Sequence, residues 1–352
     1  MHIHDVIIIG GGQAGLSVAY FLRRTGLDYI ILDEQDRPGG AWLQTWNGLK
    51  LFSPTTYSSL SGWQMPPAKN EYPTKDEFIN YLTKYEKRYN FPVIRNTKVS
   101  GVLKQDDHFE VTTNTGTYFG KAIVSATGTA KGPYIPEYPG VDEFRGMQIH
   151  SLDYRSPEIF TNKKVLVVGG GNSGAQILAE ISKVAKTKWV TLETPNFLPV
   201  EIDGRYLFHQ ATAKFLGNQR DSGKASLSDI VQVESVQEAL ERNVYQDHRP
   251  FRSFYDEGII WKDGNKEPFD AVIWCTGFKP DFSHLKPLNV VENGRIKTRL
   301  TRSVSEPGLW LVGYGNWTGF ASATIYGVGK TARQTAKEIA TFVGIQESIK
   351  EN

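Results

Sequence analysis

Two glycine-rich loops with the same spacing limit the folds open to this chain of 352 residues. Each loop follows a short apolar, β-branched run, at residues 6–9 and 165–168, and each precedes a segment with helical periodicity. Such a run is typical of a parallel strand buried on both faces of a sheet. The loops read Gly-x-Gly-x-x-Gly, with glycines at Gly10, Gly12, Gly15 and at Gly169, Gly171, Gly174. The chain is therefore predicted to be an α/β protein with two Rossmann-like units.

The chemistry of a dinucleotide explains each glycine in such a loop. The first permits a tight turn, the second lets the backbone approach a pyrophosphate, and the third lets helix and strand pack closely. The helix that follows then points free N–H groups at the phosphates. Asp33 and Glu193 end the next predicted strands, at nearly equal distances from the two loops, where an acid can bind ribose hydroxyls. The alternative for both is a solvated strand end.

Two dinucleotide sites imply two dinucleotides with electrons passing between them, and FAD with NAD(P)H is the economical pair. FAD is assigned to the first loop because a glycine pair, Gly39 and Gly40, follows Asp33 and would let the backbone pass close to a flavin. The alternative is a simple Pro-Gly turn. The cofactor-binding residues predicted around the two loops are Gly10, Gly12, Gln13, Ala14, Gly15, Asp33, Glu34, Gly40, Ala41, Trp42, Gly169, Gly171, Asn172, Ser173, Gly174 and Glu193.

Composition removes several classes of function. The chain has 40 Lys and Arg against 38 Asp and Glu, a net charge of +2, so charge gives no reason to expect a nucleic-acid partner. No apolar run approaches the roughly 18 residues of a membrane span. The single Cys, Cys275, excludes an internal disulfide, a cysteine-rich metal site and a dithiol redox pair. We expect a cytoplasmic protein, and no metal site is predicted.

The remaining segments suggest how the two units are joined. Residues 74–92 have the pattern of an amphipathic helix, residues 97–125 that of a β-meander, and residues 128–164 are a crossover rich in Gly and Pro. Residues 205–247 are polar and mostly helical in pattern, and a last helix is predicted at roughly 324–343. We expect a glutathione-reductase-like fold with the second unit inserted in the first. The FAD-binding domain would comprise 1–155 and 281–352, and the NAD(P)-binding domain 156–280.

Further motifs resemble a known family. Phe144, Gly146 and His150 match the Phe-x-Gly-x-x-x-His fingerprint of class B flavin monooxygenases. The segments 126–128 and 274–278 resemble the strand-end linkers of that superfamily, with Cys275 in place of the usual Ala. Within the family the chain is similar to the flavin-containing monooxygenases, and residues 197–199 and 203–205 resemble the bacterial CzcO-like branch of NAD(P)/FAD-dependent oxidoreductases. The resemblance covers essentially the whole chain.

The resemblance and the loop before the last helix extend the predicted cofactor site. The loop at 314–319 precedes a helix whose N-terminus could stabilise negative charge on a flavin. The resemblance gives His150 an interdomain role near the nicotinamide, and the alternative is a satisfied buried histidine. The additional cofactor-binding residues are Ala126, Thr127, Gly128, Thr276, Gly277, Asn316, Thr318, Ala323 and Thr324.

Two departures from the family pattern affect the expected chemistry. Residues 51–57 lack the Asn that animal flavin-containing monooxygenases carry near the flavin. The second departure is Glu193, at the end of the predicted strand 189–193. The basic residue that usually binds the 2′-phosphate of NADPH is missing at this position. A carboxylate there repels a phosphate and accepts hydrogen bonds from a free ribose. NADH is therefore slightly favoured, although Arg205 or Lys188 could fold back and reverse this.

The favoured function is an FAD-dependent, NAD(P)H-consuming monooxygenase that forms a C4a-peroxyflavin and oxygenates a small soft nucleophile or carbonyl with O2. The alternative enzyme is a flavin reductase passing electrons to a quinone, metal ion or partner protein, and a non-catalytic redox sensor is a third reading. No catalytic side chain is predicted, because the flavin carries the chemistry. Aromatic residues near the flavin side form either a substrate pocket or core packing; they are Trp42, Trp46, Phe52, Tyr57 and Trp63. The oligomeric state stays open.

Overall fold

The computed structural model of the protein describes residues 2–202, 229–319 and 321–350. The two main β-sheets among these residues have nine and five strands. The strands of the larger sheet are β1 (Ile3–Ile9), β2 (Tyr29–Leu32), β3 (Val93–Ile94), β4 (Val99–Lys104), β5 (Phe109–Thr113), β6 (Thr117–Ser125), β17 (Thr298–Arg299), β18 (Arg302–Ser303) and β19 (Leu309–Leu311). Those of the smaller sheet are β7 (Met147–His150), β8 (Lys164–Val168), β9 (Lys186–Val190), β10 (Asp247–His248) and β14 (Ala271–Trp274).

Minor sheets and helices complete the architecture. Three short strands form an antiparallel sheet, β11 (Ser253–Tyr255), β12 (Gly258–Ile260) and β13 (Lys266–Pro268), and two more form a ribbon, β15 (Val291–Glu292) and β16 (Arg295–Ile296). The described α-helices are α1 (Gln13–Leu22), α2 (Lys75–Tyr89), α3 (Asn172–Ile181), α4 (Glu234–Glu241) and α5 (Ile325–Lys350). No helix in the described ranges is both long enough and apolar enough to cross a bilayer.

The larger sheet is built around a parallel centre in which β1 pairs with both β2 and β6. Strand β19, from the far end of the chain, pairs in parallel with β6. The meander β4–β5–β6 is antiparallel, as its alternating pattern predicts. Helices α1 and α5 pack together on one face of the sheet and share one apolar core with it. The carboxyl ends of β1, β6 and β19 therefore lie side by side.

The smaller sheet is entirely parallel, in the order β10-β9-β8-β14-β7. It lies within residues 147–274, between the two parts of the chain that build the larger sheet. Strand β7 pairs with β14, although it precedes residue 156, where the sequence placed the start of the second unit. Helix α3 packs against this sheet through Ile177, Leu178 and Ile181, which are all fully buried.

Helix α2 shows what a fully capped helix looks like in this protein. The Thr74 hydroxyl accepts a hydrogen bond from the Glu77 backbone N–H at 3.1 Å, and the Glu77 carboxylate accepts from the Thr74 N–H at 2.8 Å. This capping box satisfies two backbone N–H groups that would otherwise lack a partner at the start of the helix. The helix lies within the predicted range 74–92, and Phe78 and Tyr81 face the core.

One predicted strand ends earlier than its sequence pattern suggests. The apolar pattern placed a strand at 189–193, but β9 ends at Val190. Leu192 is 83% exposed, so its apolar side chain does not continue the buried strand. Glu193 consequently lies three residues beyond the strand and not at its last position. Residues 203–205, which carry part of the family resemblance, lie outside the described ranges, as does most of the polar stretch 205–247.

Candidate dinucleotide-binding sites

The first glycine loop lies at the carboxyl end of β1, in close backbone contact with its neighbours. Gly10 has φ +105°, and a Cβ there would stand 2.7 Å from the Ala126 carbonyl oxygen. A Cβ on Gly15 would overlap the Gly10 carbonyl oxygen, and one on Gly40 would stand 2.8 Å from Gly12 Cα. A side chain would therefore fill the cradle that these glycines leave open, as expected of a loop that holds a pyrophosphate.

Helix α1 begins directly after this loop without a side-chain cap. Its N-cap is Gly12, no side chain accepts from the first N–H groups, and no acidic residue stands in the first turn. This contrasts with the capping box of α2. Uncapped N–H groups and the positive end of the helix dipole together form an anion-binding site. The residues present fit the phosphates of a dinucleotide.

Gln13 joins three separate segments at this helix end. Its side-chain amide donates to the Ala323 carbonyl oxygen at 3.0 Å, and its side-chain oxygen accepts from the Trp42 indole N–H at 3.0 Å. Thr324 caps the start of α5, since its hydroxyl accepts from the Gly327 N–H at 3.0 Å. The structure thus brings the predicted positions in 10–15, 40–42 and 323–324 together, with Ala41 exposed at the surface of this group.

The two acids of the first unit are both paired with cations. Asp33 is 4% exposed, and its carboxylate forms an ion pair with Arg95, which also pairs with Glu86. Burial raises the pKa of Asp33, and the positive charge of Arg95 opposes that shift. Glu34 pairs with Lys131. Asp33 is thus not a solvated strand end, and its partner Arg95, 62 positions along the chain, carries no sequence signal.

A buried polar chain lies at the carboxyl end of β6. The Ser125 hydroxyl is 2.9 Å from His284 Nε2 and 2.6 Å from the Tyr314 hydroxyl, which is 2.7 Å from Thr127 Oγ1. Burial lowers the pKa of His284 to about 4, so the ring is neutral near pH 7. The predicted site residue Thr127 is therefore linked, through Tyr314, to the loop that follows β19. Sequence reasoning missed His284.

The loop at 314–319 is braced mainly by its own side chains. The Thr318 hydroxyl donates to the Gly315 carbonyl oxygen at 3.0 Å and is 2.7 Å from Ser322 Oγ. Thr318 is fully buried, so its hydroxyl holds the loop and is not presented to a ligand. Asn316 is exposed, and its side-chain oxygen accepts from the Ala321 N–H at 3.4 Å. Gly128, with φ +69°, is half-buried and ends the segment 126–128 that follows β6.

The second glycine loop repeats the backbone geometry of the first. Gly169 has φ +129°, a Cβ there would overlap the Cys275 carbonyl oxygen, and one on Gly174 would overlap the Gly169 carbonyl oxygen. Helix α3 starts at the N-cap Gly171, again with no side-chain cap and no acid in its first turn. Ser173 stands in that first turn. This helix end has the same capacity for phosphate as α1.

Asn172, at the start of α3, already uses its side chain within the protein. Its amide donates to the Asp229 carbonyl oxygen at 2.8 Å, and its oxygen accepts from the Val231 N–H at 2.9 Å. These bonds fix the segment 229–231 beside the loop. Asn172 therefore shapes the second site through its neighbours and does not offer its amide to a ligand.

A cation that the sequence did not reveal lies near the second acid. Glu193 is exposed beyond β9, whereas Arg249 donates to the Thr191 carbonyl oxygen at 3.2 Å and is 3.5 Å from Thr194 Oγ1. Arg249 also pairs with Asp247. Lys188, a predicted alternative cation, lies 2.8 Å from Glu267. Arg205 lies outside the described residues.

The two connections between the sheets run side by side. The Tyr134 N–H donates to the Gly277 carbonyl oxygen at 2.9 Å, and the Lys279 N–H to the Gly132 oxygen at 2.6 Å, across an antiparallel bridge between Pro133 and Phe278. The Thr276 hydroxyl donates to the Tyr134 carbonyl oxygen. Both predicted linker residues, Thr276 and Gly277, thus belong to this crossing.

His150 is held by backbone at the same crossing. Its Nε2 donates to the Gly277 carbonyl oxygen at 3.0 Å, and its Nδ1 accepts from the Leu152 N–H at 3.1 Å. Burial lowers its pKa, although the Gly277 carbonyl opposes the shift. The ring is therefore neutral with both nitrogens satisfied. This geometry suits an interdomain position and leaves no nitrogen free to act as a base.

The five aromatic residues that the sequence placed near a flavin do not line one pocket. Trp42 packs edge-to-face on Phe78 with ring centroids 4.8 Å apart, and Trp63 packs on Tyr81 at 5.2 Å, both in the core of the larger sheet. Trp46 and Phe52 pack in the core of the smaller sheet, and the Tyr57 ring is 5.0 Å from the Tyr326 ring. Most of them therefore serve as core packing.

Comparison with known proteins places this geometry in a family. Residues 7–313 match the model of the pyridine nucleotide-disulphide oxidoreductase family. An uncharacterized CzcO-like oxidoreductase from Geobacillus kaustophilus is 32% identical over 96% of this chain and 99% of its own length. A probable indole-3-pyruvate monooxygenase from Arabidopsis thaliana is 28% identical over 96% of this chain and 90% of that protein.

Solved structures agree with this placement. A flavin-containing monooxygenase from Stenotrophomonas maltophilia is 43% identical, with a TM-score of 0.90 over 97% of this chain and 99% of that one. A bacillithiol disulfide reductase from Staphylococcus aureus has a TM-score of 0.73 at 17% identity, over 97% of this chain and 98% of that one, which shows a shared fold only. Burial raises the pKa of the Cys275 thiol to about 12, and no second cysteine exists to form a disulfide with it. The chain therefore has the Rossmann-type α/β fold. It belongs to the pyridine nucleotide-disulphide oxidoreductase family, among the members that resemble flavin monooxygenases, and it is a flavin-dependent oxidoreductase.

Proposed function

We propose that the protein is an FAD-dependent monooxygenase that consumes NAD(P)H and O2 and oxygenates a small soft nucleophile or carbonyl compound. The observation that carries this proposal is the 43% identity, over nearly the full length of both chains, to a flavin-containing monooxygenase. The overall reaction balances when the hydride and a proton reduce one oxygen atom to water and the other enters the substrate. Bound FAD would supply the hydride acceptor and the oxygen-activating group.

The assignment of FAD to the first loop is supported by how closely that loop is enclosed. Backbone from Gly10, Gly40 and Ala126 meets at the uncapped end of α1, and Gln13 ties this group to Trp42 and Ala323. The N–H groups of this helix end would hold the pyrophosphate, and Asp33 would face the ribose while Arg95 holds its carboxylate in place. The Tyr314 chain would orient the loop at 314–319 towards the flavin ring.

The uncapped end of α3 would bind the nicotinamide nucleotide, and we propose that it accepts NADPH as well as NADH. The slight preference for NADH rested on Glu193 standing where a basic residue would bind the 2′-phosphate of NADPH. Arg249 changes that premise, because its guanidinium lies beside Thr191 and Thr194 at the same end of the sheet. Asp247 neutralises part of its charge, so the discrimination between the two donors would be small.

The two sheets support a two-domain reading. We propose an FAD-binding domain of residues 1–155 and 281–352, interrupted by an NAD(P)-binding domain of residues 156–280, with β7 at the end of the first segment adding an edge strand to the sheet of the second domain. His150 and the paired linkers would then sit between the domains. A cytoplasmic setting and the lack of a nucleic-acid partner stay predictions.

The experiment that tests the function separates oxygenation from simple electron transfer. The flavin-loaded protein is supplied with NADPH, ¹⁸O2 and panels of thioethers, amines and ketones, while NADPH loss, H2O2 and labelled product are measured. We expect one ¹⁸O atom per NADPH in the product with an accepted substrate. Stoichiometric H2O2 with every panel member, or oxygen-independent reduction of a quinone, would instead identify the reductase. No NADPH consumption by flavin-replete protein would favour the redox sensor.

A further inference from the structure

Three metal-ligating side chains that the proposed function does not use meet near the amino end of β1. His2 Nε2 lies 2.8 Å and His4 Nδ1 lies 2.7 Å from the same oxygen, Asp28 Oδ2. All three ligand atoms lie within 4.8 Å of one another. Nowhere else in the described part of the chain does a group of three His, Cys, Asp or Glu side chains converge in this way.

The sheet itself brings these groups together. His2 directly precedes β1 and its ring centroid lies 4.4 Å from that of His4, so the two imidazoles stand on the same side of the chain. Asp28 precedes β2, the neighbour of β1, and its backbone is fixed to β1 at both ends. Its carbonyl oxygen accepts from the Val6 N–H at 3.1 Å, and its N–H donates to Asp5 Oδ2 at 3.0 Å. The convergence thus follows from strand register and does not depend on side-chain rotation alone.

We propose that His2, His4 and Asp28 bind one divalent transition-metal ion, with Zn²⁺ as the representative case. Two imidazoles and a carboxylate form a donor set that suits Zn²⁺, Cu²⁺ and Ni²⁺ better than Mg²⁺ or Ca²⁺. Each ring proton moves to the other ring nitrogen, so that His2 Nε2 and His4 Nδ1 each present a lone pair to the ion. Water fills the fourth position, since the His2 side chain is 71% exposed.

The distances leave room for such an ion. Zinc–ligand bonds of about 2.0–2.2 Å place tetrahedral ligand atoms about 3.4 Å apart. The present separations from Asp28 Oδ2 are hydrogen-bond lengths, and a shift of the half-exposed Asp28 side chain by under about 1 Å opens them to that value. The carboxylate is exposed enough to move, while the backbone that carries it stays fixed.

The position of the site separates its role from the redox chemistry. The first glycine loop follows the carboxyl end of β1, and the cluster stands at the amino end. Seven strand residues rising about 3.3 Å each put the two roughly 20 Å apart. The ion therefore joins the start of β1 to the α1–β2 connection and does not contact the first glycine loop.

The test uses untagged protein, loaded with FAD and treated with a chelator, titrated with ZnCl2 by calorimetry and with Co²⁺ by visible spectroscopy. We expect one equivalent of Zn²⁺ to bind and Co²⁺ to give the spectrum of a four-coordinate site. Asp28→Asn and His4→Gln should each weaken Zn²⁺ binding more than about tenfold. Flavin content and NADPH consumption should be unchanged in both variants.

His108→Gln is the matched control. His108 Nδ1 lies 2.7 Å from Asp107 Oδ1, which makes a single imidazole–carboxylate pair without a second histidine. This variant should bind Zn²⁺ like the wild type. Absence of stoichiometric binding to the wild type, or equal affinity in wild type and Asp28→Asn, would overturn the proposal. Because Asp28 is half-exposed, its variant is expected to fold even if His4→Gln does not.

Discussion

The two glycine loops have nearly the same backbone and very different surroundings. Both follow a buried parallel strand, both contain a close backbone contact that a Cβ would block, and both open onto an uncapped helix. The acid after the first loop, Asp33, is buried and paired with Arg95, whereas Glu193 is exposed beyond its strand. An enclosed site suits a retained flavin, and an open one suits a nicotinamide nucleotide that must leave after each turnover.

The largest effect is expected when an alanine side chain is placed in each loop in turn, which tests whether the two loops hold different cofactors. In Gly15→Ala the new Cβ overlaps the Gly10 carbonyl oxygen, so the turn cannot close around a pyrophosphate. We expect purified Gly15→Ala to contain no FAD, measured as the ratio of absorbance at flavin and protein wavelengths. The control is Gly344→Ala, because a Cβ placed there meets no described atom within 4 Å apart from its chain neighbours and the backbone of its own helix. A yellow, flavin-replete Gly15→Ala protein would contradict the assignment of FAD to this loop.

The corresponding change in the second loop should spare the flavin. In Gly174→Ala the Cβ overlaps the Gly169 carbonyl oxygen, at the end of the other sheet. We expect normal FAD content and an approximately 100-fold slower anaerobic flavin reduction at limiting NADPH, which corresponds to about 2.7 kcal/mol of lost binding. Stopped-flow absorbance measures this rate. Loss of flavin from this variant, with reduction of the remaining flavin unchanged, would reverse the two assignments.

Acid should act on the surroundings of the first loop through His284. Its pKa in the folded protein is about 4, below the ordinary 6.5, so the unfolded state binds the extra proton first as the pH falls. This contribution to stability is complete above pH 6.5 and is lost towards pH 4, by about 2 kcal/mol between pH 7 and pH 5. Urea unfolding at the two pH values measures it. In His284→Gln the loss should be smaller by that amount, and an unchanged pH dependence would show that His284 does not titrate in this way.

The smallest expected effect concerns the choice of nicotinamide donor. Arg249→Ala removes the guanidinium beside Thr191 and Thr194, and we expect the KM for NADPH to rise about tenfold while that for NADH changes less than about twofold. Lys188→Ala is the control, because Lys188 is held by Glu267. Steady-state kinetics with both donors measures the ratio. Equal changes for the two donors would mean that Arg249 only supports the local structure.

The sequence was sufficient wherever local pattern determines structure. Glycine spacing, apolar runs and helical periodicity predicted the strand–loop–helix geometry of both glycine loops, the meander and α2. It failed where a residue's environment is set by distant chain. Arg95 beside Asp33 and Arg249 beside Thr191 meet their partners only through sheet assembly, and such pairing leaves no periodic trace. The predicted end of the strand at 189–193 was wrong for a related reason. The sequence shows that Leu192 is apolar, but it does not show whether other residues bury that side chain.

The paired linkers have a mechanical consequence. Since the segments around Pro133 and Phe278 are hydrogen-bonded to each other, the two chain connections between the sheets form one two-stranded ribbon and not two independent tethers. His150 is bonded to Gly277 within that ribbon. Gln176 of α3 also exchanges two hydrogen bonds with the backbone of Lys50, which ties the smaller sheet to the first part of the chain at a second place. A displacement of one connection would therefore be passed to the other connection and to the His150 ring.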